Sequence, residues 1–112
     1  ARADQRHHAV DFVAVDFQRA PAVGSRITVI VDSGFRRGSD VVKALALGAH
    51  AVMLGRGPLH GVAVGGEAGG RRALEIYRDE IDRVMALVGA RSVAELTREL
   101  VVMPRMNGPV PA

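Results

Sequence analysis

The stretch ITVIVDSGFRRGSDVVKALALGAHAVMLGR, Ile27 to Arg56, decides the fold. Its opening run, Ile27 to Val31, is β-branched and almost entirely apolar, the pattern of a short strand buried on both faces, which is at home in a parallel sheet. DSGFRRGSD (Asp32 to Asp40) interrupts that run. Its glycines permit a tight turn, and Ser39 or Asp40 is suited to cap a helix over about residues 40–47. Gly48 stands where a left-handed residue closes a helix, and HAVML (His50 to Leu54) begins a second short apolar strand. Strand, turn, helix and strand within about thirty residues make one βαβ unit, so the chain is α/β.

Downstream lies LGRGPLHG (Leu54 to Gly61), with Pro58 placed to begin a short helix over Pro58 to Val64. GGEAGG (Gly65 to Gly70) reads as a hinge or cap. A long amphipathic helix follows. Leu74, Tyr77, Ile81, Val84 or Met85, and Val88 recur at steps of three and four, and Arg71, Arg72, Glu75, Arg78, Asp79, Asp82 and Arg83 occupy the other side. Gly89 ends it. Ser92 and Glu95 have capping-box spacing, which predicts one more helix over about 93–100. Met53 and Met85 read as core residues, and His50 and His60 as structural ones. Upstream, residues 1–26 contain a duplicated AVDF in AVDFVAVDF (Ala9 to Phe17) that fits neither helical nor strand periodicity. The expected organisation is a poorly defined segment 1–26, a βα region 27–100, and a disordered tail 101–112 that is rich in proline.

At 112 residues there is room for one small domain at most. The formal charge of +3 comes from basic residues interleaved with acids, which demotes nucleic-acid binding. An apolar fraction of 48% suffices for a core, so disorder is excluded for the bulk of the chain. No run approaches the ~18 apolar residues of a membrane span. A soluble, cytoplasmic chain with at most peripheral membrane contact is expected. The absence of cysteine rules out disulfides, thiolate metal sites and thiol nucleophiles, and no His or carboxylate spacing suggests a metal.

The two strand-to-helix turns carry the chemistry. In parallel α/β proteins sites form at the carboxyl ends of strands, which makes Asp32 and Gly55-Arg56 neighbours. Each turn is expected to offer backbone N–H groups near a helix start together with an arginine: Arg36 or Arg37 from the first, Arg56 from the second. These are the components of a phosphate site. Glycine at either turn alone is equally explained by turn geometry, and it is the matched pair that points to a ligand.

VIVDSGFRRGSDVVKALALGAHAVMLGR (Val29 to Arg56) and GEAGGRRALEIYRDEIDRVMALVGARSVAEL (Gly66 to Leu96) closely resemble the C-terminal end of the FMN-dependent 2-hydroxy acid dehydrogenases and oxidases. That family includes L-lactate dehydrogenase, mandelate dehydrogenase and glycolate oxidase. The resemblance implies a (β/α)8 barrel, of which this chain supplies the last two βα units. It implies FMN as cofactor, a small 2-hydroxy acid as substrate and a homo-oligomeric parent enzyme. Carried over by position, Asp32, Ser33, Gly34, Phe35 and Arg36 match the first FMN segment and Gly55 with Arg56 the second. Arg36 and Arg56 are then the phosphate arginines, while Arg37 lies beside the site and reads equally well as a surface residue.

The same resemblance implies a catalytic histidine and a carboxylate-clamping arginine in an N-H-G-G-R-Q-L-D motif upstream of DSGFR. That motif is absent. Arg2 in ARAD is at best a remnant, and His7 and His8 come too late in the chain to be the base. No catalytic residue is therefore assigned. The chain reads as a piece or degraded copy of a longer enzyme, inactive by itself and doubtful as an autonomous fold. Two alternatives remain: a non-flavin phosphate-binding barrel resembling IMP dehydrogenase, with its D-G-G-[IV]-R turn, and a non-catalytic interaction module.

Overall fold

The structure, a computed structural model, describes residues 27–102. The AVDF duplication, Arg2, His7, His8 and the segment from residue 103 onward lie outside the described residues. Two strands, β1 (Ile30–Asp32) and β2 (Ala51–Met53), pair in parallel with Ile30 opposite Ala51, Val31 opposite Val52 and Asp32 opposite Met53. Parallel neighbours need a crossover, and α1 (Gly38–Ala46) supplies it. Both strands are shorter than their apolar runs. At residue 29 the ladder is finished by a side chain: the Val29 N–H donates to His50 Nδ1 at 3.0 Å, and the His50 N–H donates to the Val29 carbonyl at 2.9 Å. His50 is thus structural, as its sequence context implies.

The expectation of strands buried on both faces is corrected. Val29, Val31, Val52 and Leu54 pack against the cluster of Phe35, Val41, Ala44, Ala49 and Tyr77, whereas Ile30 and Met53 are 58% and 56% exposed. Helices cover only one face of this two-stranded sheet among the described residues, so alternate side chains stay open. Met53 consequently leaves the core it was assigned to.

Helix α1 begins two residues before its predicted start, with Arg37 extended at the N-cap. Asp40 does cap it, but from inside the first turn, where its Oδ2 accepts the N–H groups of Arg36 and Arg37 at 3.1 and 3.0 Å. Ser39 makes no such bond. Gly38 enters the helix because its N–H is accepted by Glu80 Oε2 at 2.7 Å, and a Cβ there would lie 2.6 Å from the Ile81 nitrogen. Gly48, at φ +110°, closes the helix as expected.

Helix α2 (Arg56–Val88) is broken at Gly65 (φ −140°) and Gly66 (φ +58°), where the sequence places a hinge. Its arms, 56–64 and 67–88, fold against each other. A Cβ on Gly69 would overlap the Gly61 carbonyl oxygen, and one on Gly61 the Gly69 carbonyl. The long arm buries Tyr77 and half-buries Ile81, Val84 and Met85, the i, i+4, i+7, i+8 stripe of an amphipathic helix. Leu74 and Val88, assigned to that stripe, are 52% and 37% exposed. Gly89 (φ +75°) ends the helix.

The expected last helix is instead two single 3₁₀ turns, Val93–Glu95 and Arg98–Leu100. Glu95 reaches past Ser92 to the Arg91 N–H at 2.8 Å and the Ser92 side chain makes no cap bond, so the expected capping box does not form. Leu96, between the turns, is buried against Val42 and Ala46, with Val101 half-buried beside them. No helix among the described residues is long and apolar enough to cross a membrane.

The arm crossing generates a stability prediction. Gly69→Ala, forced against a backbone carbonyl, is expected to destabilise by about 1–3 kcal/mol in urea unfolding. Gly65→Ala, with open space around it and negative φ, should stay within about 0.5 kcal/mol. Equal effects of the two would contradict the crossing.

Candidate functional site

Because β1 and β2 end opposite each other at Asp32 and Met53, the chain segments that leave them start side by side. Between them lies a cleft of about 530 Å³, within the range of ~300–1,000 Å³ usual for small-molecule sites. Asp32, Ser33, Gly34, Phe35 and Arg36 form one wall, and Gly55 and Arg56 the other. All seven residues singled out from the sequence therefore meet in one place. Met53, Gly57, His60 and Tyr77 complete the lining and were not among the candidate site residues. His60 lies four residues after Arg56 on α2, a spacing that puts the two on the same helix face.

The first wall is a sharp reversal. Ser33 at φ +80° and Gly34 at φ +86° are consecutive left-handed residues, and Asp32 Oδ1 accepts the Ser33 N–H at 2.7 Å. Serine in that region carries a conformational cost of about 1–2 kcal/mol. Phe35 then turns inward and is buried, while Arg36 is exposed at the cleft.

The expectation that both turns offer backbone N–H groups beside a helix start holds for only one of them. At α1 the N–H groups of Arg36, Arg37 and Gly38 are taken by the carboxylates of Asp40 and Glu80. With those donors engaged, the start of α1 has none of these three N–H groups left for an anion. At α2 the first helical bond runs from the Leu59 N–H to the Gly55 carbonyl at 3.1 Å. The N–H groups of Arg56 and Gly57 precede it and have no partner within the helix, and Pro58 has no N–H to satisfy. The positive end of the α2 dipole thus faces the cleft. Gly57 is required by crowding: a Cβ there would lie 2.9 Å from Tyr77 Cε2.

Arg37 turns away from the cleft. Its Nε and Nη2 donate to Glu80 Oε1 at 2.8 and 2.7 Å, in accord with its reading as a residue beside the site. This hydrogen bond, followed by that from the Gly38 N–H, holds the Glu80 carboxyl below the usual carboxylate range, and the pairing raises Arg37 in turn. Burial chiefly, and next the nearby Asp40 and Glu80 charges, push the Tyr77 phenol upward, so it is a neutral donor at ordinary pH. Among the described residues neither Arg36 nor Arg56 pairs with a carboxylate, and no three His, Asp or Glu side chains group to hold a metal ion.

Residues 7–103 match the family model described as FMN-dependent dehydrogenase. The chain belongs to this family. It is similar to glycolate oxidase 2 of rice, Oryza sativa subsp. indica, with 57% identity over 69% of this chain and 21% of that protein. In structure it resembles the flavin-binding domain of baker's yeast flavocytochrome b2, with a TM-score of 0.77 and 39% identity over 89% of this chain and 28% of that one. It also resembles a soluble mutant of the membrane-associated (S)-mandelate dehydrogenase of Pseudomonas putida, with a TM-score of 0.70 and 45% identity over 75% and 24% of the two chains. This family member is membrane-associated, so membership does not carry the cytoplasmic placement expected from composition. The chain spans 21–28% of the length of these relatives.

The lowered Glu80 predicts a pH signature. A carboxyl more acidic in the folded state than in the unfolded one contributes stability above the unfolded value, and that contribution is lost as pH falls through the folded value. The melting temperature of the parent chain should exceed that of Glu80→Gln at pH ~6, and the gap should close below about pH 4.5. A gap that persists unchanged to pH ~3 would contradict the pairing.

Proposed function

We propose that this chain is the FMN-phosphate-binding segment of a 2-hydroxy acid oxidoreductase, formed by the last two βα units of a (β/α)8 barrel. The observation that carries this reading is the convergence of Arg36, Arg56 and a helix start at Arg56-Gly57, whose N–H groups have no partner within the helix, on one cleft at the strands' carboxyl edge. Phosphate sites of such barrels sit at this edge, at the turns after the last strands and the N-terminus of a short extra helix, which matches arm 56–64 of α2.

The donor set fits the cofactor part by part. The guanidinium forks of Arg36 and Arg56 suit a dianionic phosphate, and the N–H groups of Arg56 and Gly57 add donors along the α2 axis. Asp32 is an acceptor only, so it repels phosphate and suits the hydroxyls of the ribityl chain. Ser33, Gly34 and Gly55 let the backbone come close without side-chain bulk, and Phe35 anchors the turn in the core. When bound, the flavin supplies the acceptor for hydrogen leaving the α-carbon of the 2-hydroxy acid. This chain's residues bind and orient; none is assigned as base or substrate clamp, and the isolated chain is expected to be inactive. The open sheet face with Ile30 and Met53, and the exposed Leu59 and Val62 on α2, suit burial against the remaining units of a barrel.

Flavin fluorescence titration of the chain with FMN tests the reading. Each of Arg36→Ala and Arg56→Ala removes charge-assisted hydrogen bonds worth about 1.5–3 kcal/mol, so Kd should rise roughly 10- to 100-fold. Unchanged affinity in both variants would sink the assignment.

A further inference from the structure

We propose that Tyr77 and Glu80 are positioning residues that set the geometry of the two phosphate-binding turns, a role that rests on the function proposed above. They stand three residues apart on the long arm of α2, hence on one face, and both reach a turn 42 residues earlier in the chain. Tyr77 Oη donates to the Phe35 carbonyl at 2.9 Å, and Glu80 Oε2 accepts the Gly38 N–H at 2.7 Å. With Asp40 holding the N–H groups of Arg36 and Arg37, four successive residues from Phe35 to Gly38 each have a backbone polar group tied down. Arg36 sits inside that clamp with its side chain left at the cleft.

Tyr77 also touches the other turn. Its ring lies so close to Gly57 that no Cβ fits between them, while its hydroxyl holds Phe35. One buried side chain thereby spaces the Arg36 turn from the start of α2, where the Arg56 and Gly57 N–H groups lie. Preorganisation of this kind lowers the ordering cost of binding, since the backbone that carries the arginine is fixed on folding. The effect belongs to the phosphate end of the ligand, because the charged side chain that the tethered turn presents to the cleft is Arg36.

The test compares FMN, riboflavin and inorganic phosphate on the full chain and on Tyr77→Phe, Glu80→Gln and Glu80→Ala, with the melting temperature of each. Tyr77→Phe and Glu80→Ala each remove a backbone tether, and the expected result is a rise of about three- to tenfold in Kd for FMN and phosphate, with riboflavin unchanged. Glu80→Gln keeps an acceptor for the Gly38 N–H and should lose less, giving partial rescue. Unchanged FMN affinity, or FMN and riboflavin weakening together in step with the melting temperature, would overturn the positioning role while leaving the phosphate site in place. A parent chain that binds FMN no better than riboflavin would instead overturn the functional reading, and the positioning role with it.

Discussion

Three parallel residue pairs, from Ile30 with Ala51 to Asp32 with Met53, are the constraint on which the rest depends. In an antiparallel pair the turns after the two strands would leave from opposite edges. Parallel pairing brings them out at one edge, and the crossover helix α1 exists to make that pairing possible. Everything in the cleft follows from this placement: the reversal at Ser33-Gly34, the exposed Arg36, and the start of α2 at Arg56.

The two helix starts at that edge are treated in opposite ways. The first is neutralised from within, its N–H groups taken by Asp40 and Glu80, and Glu80 is in turn paired with Arg37. The second is left with donors and no internal acceptor, preceded by glycine and followed by a proline that has no N–H. At the first start the N–H donors are already engaged, whereas at the second those of Arg56 and Gly57 have no partner within the helix. The same two carboxylates tie down the backbone of the turn that carries Arg36.

Much of this was legible in the sequence because it depends on local pattern. The β-branched run before Asp32, the helical spacing between Tyr77 and Met85, and the glycines at positions 48, 65, 66 and 89 each report a backbone state directly. Asp32 and Arg56 followed from one further step, that parallel strands end together; that step left Arg36 and Arg37 as alternatives, and the family resemblance chose Arg36. What escaped was decided by partners far along the chain. Gly38 joins α1 only because Glu80 accepts its N–H, and Tyr77 lines the cleft only because the Phe35 carbonyl lies within reach of its hydroxyl. An apolar run such as ITVIV shows that burial is favoured, without naming what covers it, and here one face of the sheet has no cover among the described residues. The place of His60 at the cleft was readable from its spacing of four to Arg56.

The most direct test of the central claim is an amide chemical-shift titration of the chain with inorganic phosphate and with FMN. The account predicts that the backbone amides of Arg56 and Gly57 shift with saturation, while those of Arg37 and Gly38, already bonded to Asp40 and Glu80, stay in place. The opposite pattern, with the amides at the start of α1 moving and those of α2 silent, would contradict it.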